Sequence, residues 1–281
     1  MLLAHGARGG ARRGDRAAAR AGRACQGGRE LSEPIRDKAE LQKFYDDPEV
    51  VATYLQRKAL PLGAVLHARQ VAFLNQVIAR LRPARLLEVA PGPARLSAEL
   101  RPVPLAVGLE FSPRMLAEAR RRTRTHGVPE WRFVRGDGFA LPFRTATFDF
   151  AFSVRFVRRF EPVPRQQLYA EMRRVLKPGA HLVLDAQNRL VAGPHRAGHP
   201  HDYPVYDELW RREELVAELE GAGFAVRHLE GIMRRFAWQR RLQRLRRFHL
   251  GGPARLLIRA LEWTPDGNPS TWMVLAQAKP A

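Results

Sequence analysis

Residues 85–110 read RLLEVAPGPARLSAELRPVPLAVGLE, and the reading of this stretch decides the fold. A short apolar run, Arg85 to Ala90, is stopped by Pro91-Gly92-Pro93, and a second run, Leu105–Glu110, follows after a connection too long for a hairpin. Apolar runs of this length, bounded by Gly and Pro, predict buried strands, and the long connection predicts that they lie parallel. The residues between them are read as a turn and a helix over about 94–100.

The same alternation continues on both sides. Toward the N-terminus, residues 34–59 and 65–81 have helical spacing, the second with Phe73, Leu74, Val77, Ile78 and Leu81 on one face before Pro83 stops it. Toward the C-terminus, Ser112-Pro113 is an N-cap followed by a first-turn proline and opens a helix over 115–126. Strands are predicted at 131–135, 148–153 and 181–185, and the helix over 164–176 ends at Lys177-Pro178-Gly179. A helix over 206–222, a strand over 224–229, an arginine-rich helical insert within 231–270 and a last strand over 271–278 complete the pattern. This predicts an α/β fold: a doubly wound, mostly parallel seven-stranded sheet, Rossmann-like, with N-terminal helices and a helical insert before the last strand.

The chain has 281 residues, of which 45% are hydrophobic, enough apolar surface for a packed core, so global disorder and repeat classes are excluded. Arginines interrupt every apolar stretch before it could cross a bilayer. The single cysteine, Cys25, allows no internal disulfide and no cysteine metal cage, and a cytoplasmic location is expected. The net charge of +20 is concentrated at two places. Residues 1–29 hold seven arginines against Asp15, and residues 231–261 hold nine arginines and no acid. Residues 1–31, rich in Ala, Arg and Gly, are expected to be a disordered tail, either solvated or the product of a translation start placed too far upstream. Residues 32–281 are expected to form one domain.

Ligands of doubly wound sheets bind at the carboxyl ends of the strands. There lie Glu88, Ala90 and Gly92 after the first strand, Glu110 after the second, and Asp137, Gly138 and Phe139 after the third. Gly92 lets a ligand approach the backbone, and Glu110 suits a pair of ribose hydroxyls. Asp137 beside Phe139 could read the amino edge of adenine and cover its face.

These residues resemble the class I S-adenosylmethionine-dependent methyltransferases of the small-molecule type. The matching pieces are LLEVAPGPARLSAEL, GLEFSPRMLAEARRR, FVRGDGFALPFRTATFDFAFS and EMRRVLKPGAHLVLDAQN. The resemblance implies S-adenosyl-L-methionine as cofactor. Glu88, Ala90 and Gly92 would hold its methionine part, Glu110 its ribose and Asp137 its adenine. Phe111, Met115, Gly138, Phe139 and Ser153 would complete the pocket. It also implies that strand 271–278 runs antiparallel beside the last parallel strand.

Two departures matter. Where the family has three alternating glycines, this chain has Ala90, Gly92 and Ala94, a change that is costly only at positive φ, and weakened but surviving cofactor binding is expected. No histidine follows the fourth strand and no Asn/Asp-Pro-Pro-aromatic motif occurs there, which argues against methylation of nucleic-acid amines. Weak candidates for a catalytic base are His195, His199, His201 and Tyr203, in a segment read as a loop over 190–206, with Asn188 as a further substrate contact. The histidine spacing also admits a metal site, disfavoured by Pro200 and the lack of a helix, so no metal is expected.

In the insert, Trp238, Leu242, Leu245 and Phe248 recur at helical spacing among arginines. The stripe is read as packing on the sheet, or as a lid over an anionic or lipid-like acceptor that touches a membrane surface; nucleic acid ranks last. The leading functional reading is methyl transfer to a small-molecule or lipid-like acceptor by in-line displacement. The alternatives are a nicotinamide oxidoreductase, disfavoured by the missing Gly-x-Gly-x-x-Gly, and a non-catalytic protein of the same fold that binds an anionic partner.

Overall fold

The strand that opens the decisive stretch lies inside the sheet, flanked on both sides. In the structure, a computed structural model that describes residues 33–127, 131–264 and 267–280, β1 (Arg85–Val89) lies between β2 (Leu105–Glu110) and β4 (Phe148–Ser153), parallel to both. The arginine-rich N-terminal stretch falls outside the described residues. β3 (Trp131–Arg135) adds to β2 and β5 (Leu176–Asn188) to β4, again parallel. β8 (Thr271–Ala278) runs antiparallel between β5 and β7 (Phe224–Ile232), as expected. The order is therefore β3-β2-β1-β4-β5-β8-β7, and the short β6 (Leu209–Trp210) pairs with the end of β5. The sheet thus has eight strands rather than seven.

Period-2 alternation along the strands feeds two cores. Leu87, Val89, Val107 and Leu109 face α5 (Pro162–Val175) and α7 (Arg212–Gly221), packing with Tyr169, Met172, Leu215 and Leu219. Leu86, Ala106, Phe150 and Phe152 face the other way, toward Phe73, Leu74 and Val77 of α3 (Pro61–Leu81) and Leu116 and Ala119 of α4 (Pro113–Thr125). Each fully buried Leu or Phe contributes about 1.5–3 kcal/mol. Below α5, Arg165 is 1% exposed and donates to Glu218 and Glu208, so one guanidinium joins α5, α7 and the residue before β6.

Several elements differ from expectation, each for a local reason. The helix expected over 34–59 is two, α1 (Lys38–Tyr45) and α2 (Pro48–Lys58), because Asp47 caps the second by accepting from the Glu49 and Val50 N–H groups and Pro48 starts it. The helix expected over 94–100 is a turn with one 3-10 turn at Ser97–Glu99, since Ala94 is left-handed at φ 53°. Residues 206–222 yield β6 before α7, because Gln187 and Asn188 extend β5 far enough to pair with Leu209 and Trp210. The loop expected over 190–206 contains α6 (Arg189–Ala197), capped by Asn188, whose side chain accepts from the Leu190 N–H at 3.0 Å and donates to the Pro269 carbonyl at 2.9 Å.

The insert forms α8 (Phe236–Gln243) and α9 (Gly251–Ala260), linked by a 3-10 turn at Arg244–Phe248. Its apolar stripe does not pack on the sheet. Trp238 and Phe248 are exposed, while Ile258 packs against Val65 of α3 and Met233, and buried Gln239 donates to Glu262. Of the stripe, Leu242 packs half-buried against that cluster, and Glu262 folds back to accept from the Met233 and Arg234 N–H groups.

Candidate active site

The carboxyl ends of β1 to β4, roofed by α1 and α2, enclose a cavity with about 850 Å³ of unfilled space counted to its open mouth. Ala90, Gly92, Glu110, Phe111, Met115, Asp137, Gly138 and Phe139 all line it. Glu88 and Ser153, the other two expected contacts, do not.

Glu110 is the best-oriented of these groups. One carboxylate oxygen accepts the Gly92 N–H at 2.9 Å and the other the Ser112 N–H at 3.0 Å. Burial raises its pKa, and these backbone donors oppose the rise. Each oxygen keeps a lone pair that a ligand hydroxyl could use. Asp137 accepts the Phe139 N–H at 3.0 Å and pairs with Lys38 at 2.5 Å, and Lys38 also stands 4.4 Å over the Phe139 ring. Gly138 has a steric reason: a Cβ there would stand 2.9 Å from the Phe156 ring. Ser112 caps α4 by accepting the Met115 N–H at 3.1 Å, and its hydroxyl donates to Asp46 at the end of α1, which ties the roof to the strand ends.

Ala90 and Ala94 both adopt positive φ, 59° and 53°, as does Gly92 at 58°. The alanines therefore carry the strain that glycine avoids, about 1 kcal/mol each. Nothing lies within 4 Å of where a Cβ at Gly92 would sit, so the turn leaves room beside its backbone.

Glu88 works behind the turn. It is 2% exposed, and the Ser97 hydroxyl donates to it. Burial lifts its pKa to about 8, against the opposing pull of Ser97 and Arg95. Ser153 is also buried and donates to the Val89 carbonyl at 2.8 Å. Both residues shape the first turn from beneath.

The base candidates separate. His195 and His199 have ring centroids 4.6 Å apart on and after α6, and neither they nor His201 line this cavity or the second one described below. Burial, then Arg240 and His199, push the His195 pKa down to about 4, so it is neutral at pH 7. Among the described residues no three His, Cys, Asp or Glu side chains converge on a metal position. Tyr203 alone of the four lines a second cavity, at the carboxyl ends of β4 and β5. This cavity shares Tyr45, Tyr54, Arg155 and Arg159 with the first. Sequence reasoning missed all four, as well as Lys38: the helical spacing of residues 34–59 was visible, but not that the helices would fold over the strand ends.

Sheet order, a strand-end cavity and a carboxylate held by backbone N–H groups after β2 make this a doubly wound α/β domain with a candidate ligand site at its strand ends. The family model described as a methyltransferase domain matches residues 86–179. A demethylmenaquinone methyltransferase of Thermus thermophilus is 35% identical over 48% of this chain and 61% of its own length. A phthiotriol/phenolphthiotriol dimycocerosates methyltransferase of Mycobacterium leprae is 34% identical over 35% of this chain and 36% of its own. The matches thus span less than two thirds of either relative. Among solved structures, a possible histamine N-methyltransferase of Thermotoga maritima shares the fold with a TM-score of 0.54 at 18% identity, covering 81% of this chain and 96% of its own. Residues 86–179 are thus similar to a methyltransferase domain, and the chain shares its fold with methyltransferases of known structure.

Proposed function

We propose that the protein transfers a methyl group from S-adenosylmethionine to a small-molecule or lipid-like acceptor. The observation that carries the reading is Glu110, fixed by the Gly92 and Ser112 N–H groups with its free lone pairs in the same cavity as Asp137 and Phe139. The donor set fits the cofactor: Glu110 would take the ribose hydroxyls, Asp137 the adenine amino edge, and Phe111, Met115 and Phe139 the ring faces. The open space beside Gly92 would take the methionine part.

When bound, the cofactor supplies an activated methyl on a positive sulfonium, ready for in-line displacement. The chain's task is to align the acceptor and exclude water, and orientation alone can contribute about 7–11 kcal/mol. The roof helices α1 and α2 serve that exclusion. Burial raises the Tyr203 pKa, so near neutrality its hydroxyl is protonated and acts as a donor to the acceptor rather than as a base.

A lipid-like acceptor is supported by the insert. Trp238, Phe248, Leu256, Leu257 and Trp263 are exposed among its arginines, the composition of a surface that lies on an anionic membrane. Exposed apolar side chains of this number favour lipid over the phosphate backbone of nucleic acid.

Calorimetry tests the reading. S-adenosylmethionine should bind and NAD should not, and Glu110→Ala should weaken the cofactor by about tenfold or more through loss of two hydrogen bonds to a carboxylate. No binding of S-adenosylmethionine at millimolar concentration would overturn it and leave the non-catalytic reading.

A further inference from the structure

The second cavity holds about 1070 Å³ of unfilled space, counted to its mouth, and its lining is of two kinds. One part of the lining is apolar and aromatic: Phe44, Tyr45, Tyr54, Leu66 and Val205. The other part is charged: Arg155, Arg158, Arg159 and Arg196 with Asp185, Asp207 and the exposed Asp202.

Three of the four arginines are committed. Asp207 takes Arg159 at 2.9 Å, Arg158 at 3.3 Å and also Arg196, and Arg158 lies 3.7 Å from Asp185. Arg196 donates further to Gln187 at 2.7 Å. Arg155 differs. Among the described residues no carboxylate lies within ion-pair distance of its guanidinium, and its Nε is buried without a hydrogen-bond partner. Asp185 instead binds the Arg155 backbone, accepting its N–H at 2.6 Å. That contact holds Arg155 at φ 67°, a left-handed conformation that costs an arginine about 1–2 kcal/mol. A strained backbone, over-determined by a buried aspartate, thus places one uncompensated cation where the two cavities meet. Strain of this kind collects at ligand sites, and a half-buried cation without a counter-charge favours an anion beside it.

We propose that this second cavity is the acceptor site and that Arg155 binds a carboxylate carried by an acceptor with an apolar, aromatic-sized body. The inference rests on the methyl-transfer reading and deepens it by naming the acceptor class. A planar guanidinium matches a carboxylate through two parallel N–H donors. Tyr54, whose ring lies 5.8 Å from the Arg155 guanidinium, and Tyr45 wall the remaining space with aromatic surface. Selection for an anion falls in this assignment to one residue of the loop after β4, not to the arginines of the insert.

The test uses the full chain saturated with S-adenosylhomocysteine and two probes of one shape, 2-naphthoate and its neutral counterpart 2-naphthamide. The carboxylate should bind about tenfold tighter than the amide, the margin of one charge-assisted pair. Arg155→Asn, which removes the guanidinium and tolerates left-handed backbone, should bring the ratio to within about twofold, whereas Arg155→Lys should keep part of the preference as a point charge. Because the readout is a ratio within each variant, altered cofactor affinity does not enter it. Equal affinity for the two probes in the unaltered protein, no binding of the carboxylate, or a preference retained in Arg155→Asn would overturn the inference. Absence of S-adenosylhomocysteine binding would instead overturn the methyl-transfer reading, and the same ratio would then be read on the free protein.

Discussion

At the scale of single residues, Glu88 shows how burial changes what a carboxyl does. The sequence puts an acid at the end of the first strand, where a direct cofactor contact is the natural reading. In the fold it is enclosed, with its pKa lifted to about 8, chiefly by burial. At neutral pH it is a neutral acid that supports the turn above it. The sign of the linkage follows: an unfolded chain releases this proton near pH 4.5 and the folded chain only near 8. Stability from this group is fully present below the lower value and is lost as pH rises toward the upper one, by about 1.4 kcal/mol per pH unit where the difference is complete. Glu88→Gln mimics the neutral acid and should flatten that decline. Urea unfolding of both proteins between pH 5 and pH 8 reads it, and parallel pH profiles would show that Glu88 is ionised in the folded state.

Elements were legible where local signals were strong. Ser112-Pro113 opens α4 as its side chain and imino ring require, and Val175 to Gly179 carries the chain from α5 straight into β5. They were illegible where a distant partner decides. Leu209-Trp210 reads as the start of a helix until the end of β5 offers it a strand partner, and Asn188 reads as a substrate contact until α6 needs a cap. Because Asn188 is 2% exposed and bonds both Leu190 and Pro269, Asn188→Ala should destabilise the fold by about 1–2 kcal/mol, the cost of a lost cap with one buried donor and acceptor. Thermal unfolding checks this, and a wild-type midpoint combined with lost acceptor binding would assign Asn188 to the substrate instead.

For the whole molecule, the arrangement of charge and apolar surface is the open physical question. The insert packs on α3 through Ile258, Val65 and Leu242, while Trp238 and Phe248 of the stripe remain on the surface beside arginines. Vesicles of phosphatidylglycerol should therefore retain the protein in sedimentation while vesicles of phosphatidylcholine retain far less. The difference should shrink with salt, since each arginine near the surface contributes about 1 kcal/mol that screening removes. Trp263→Ser with Phe248→Ser should weaken retention at every salt concentration. Equal sedimentation with both lipids would separate the insert from any anionic surface.

The amino-acid order by itself determined the alternation of strand and helix, and with it the sheet, the strand ends and the ordinary places of Glu110, Asp137 and Phe139. Those follow from periodicity and turn chemistry, which act over a few residues. Only the tertiary structure decided that Glu88 and Ser153 stand behind the cavity, and that His195, His199 and His201 stand away from it. It also decided that Lys38, Tyr45, Tyr54 and Arg155 line one cavity at the strand ends. The reason is physical: those positions depend on which helix folds over which strand end, on burial that shifts a proton equilibrium, and on a left-handed φ held by a buried aspartate. Contacts of that kind join residues far apart in the chain, and no local pattern records them.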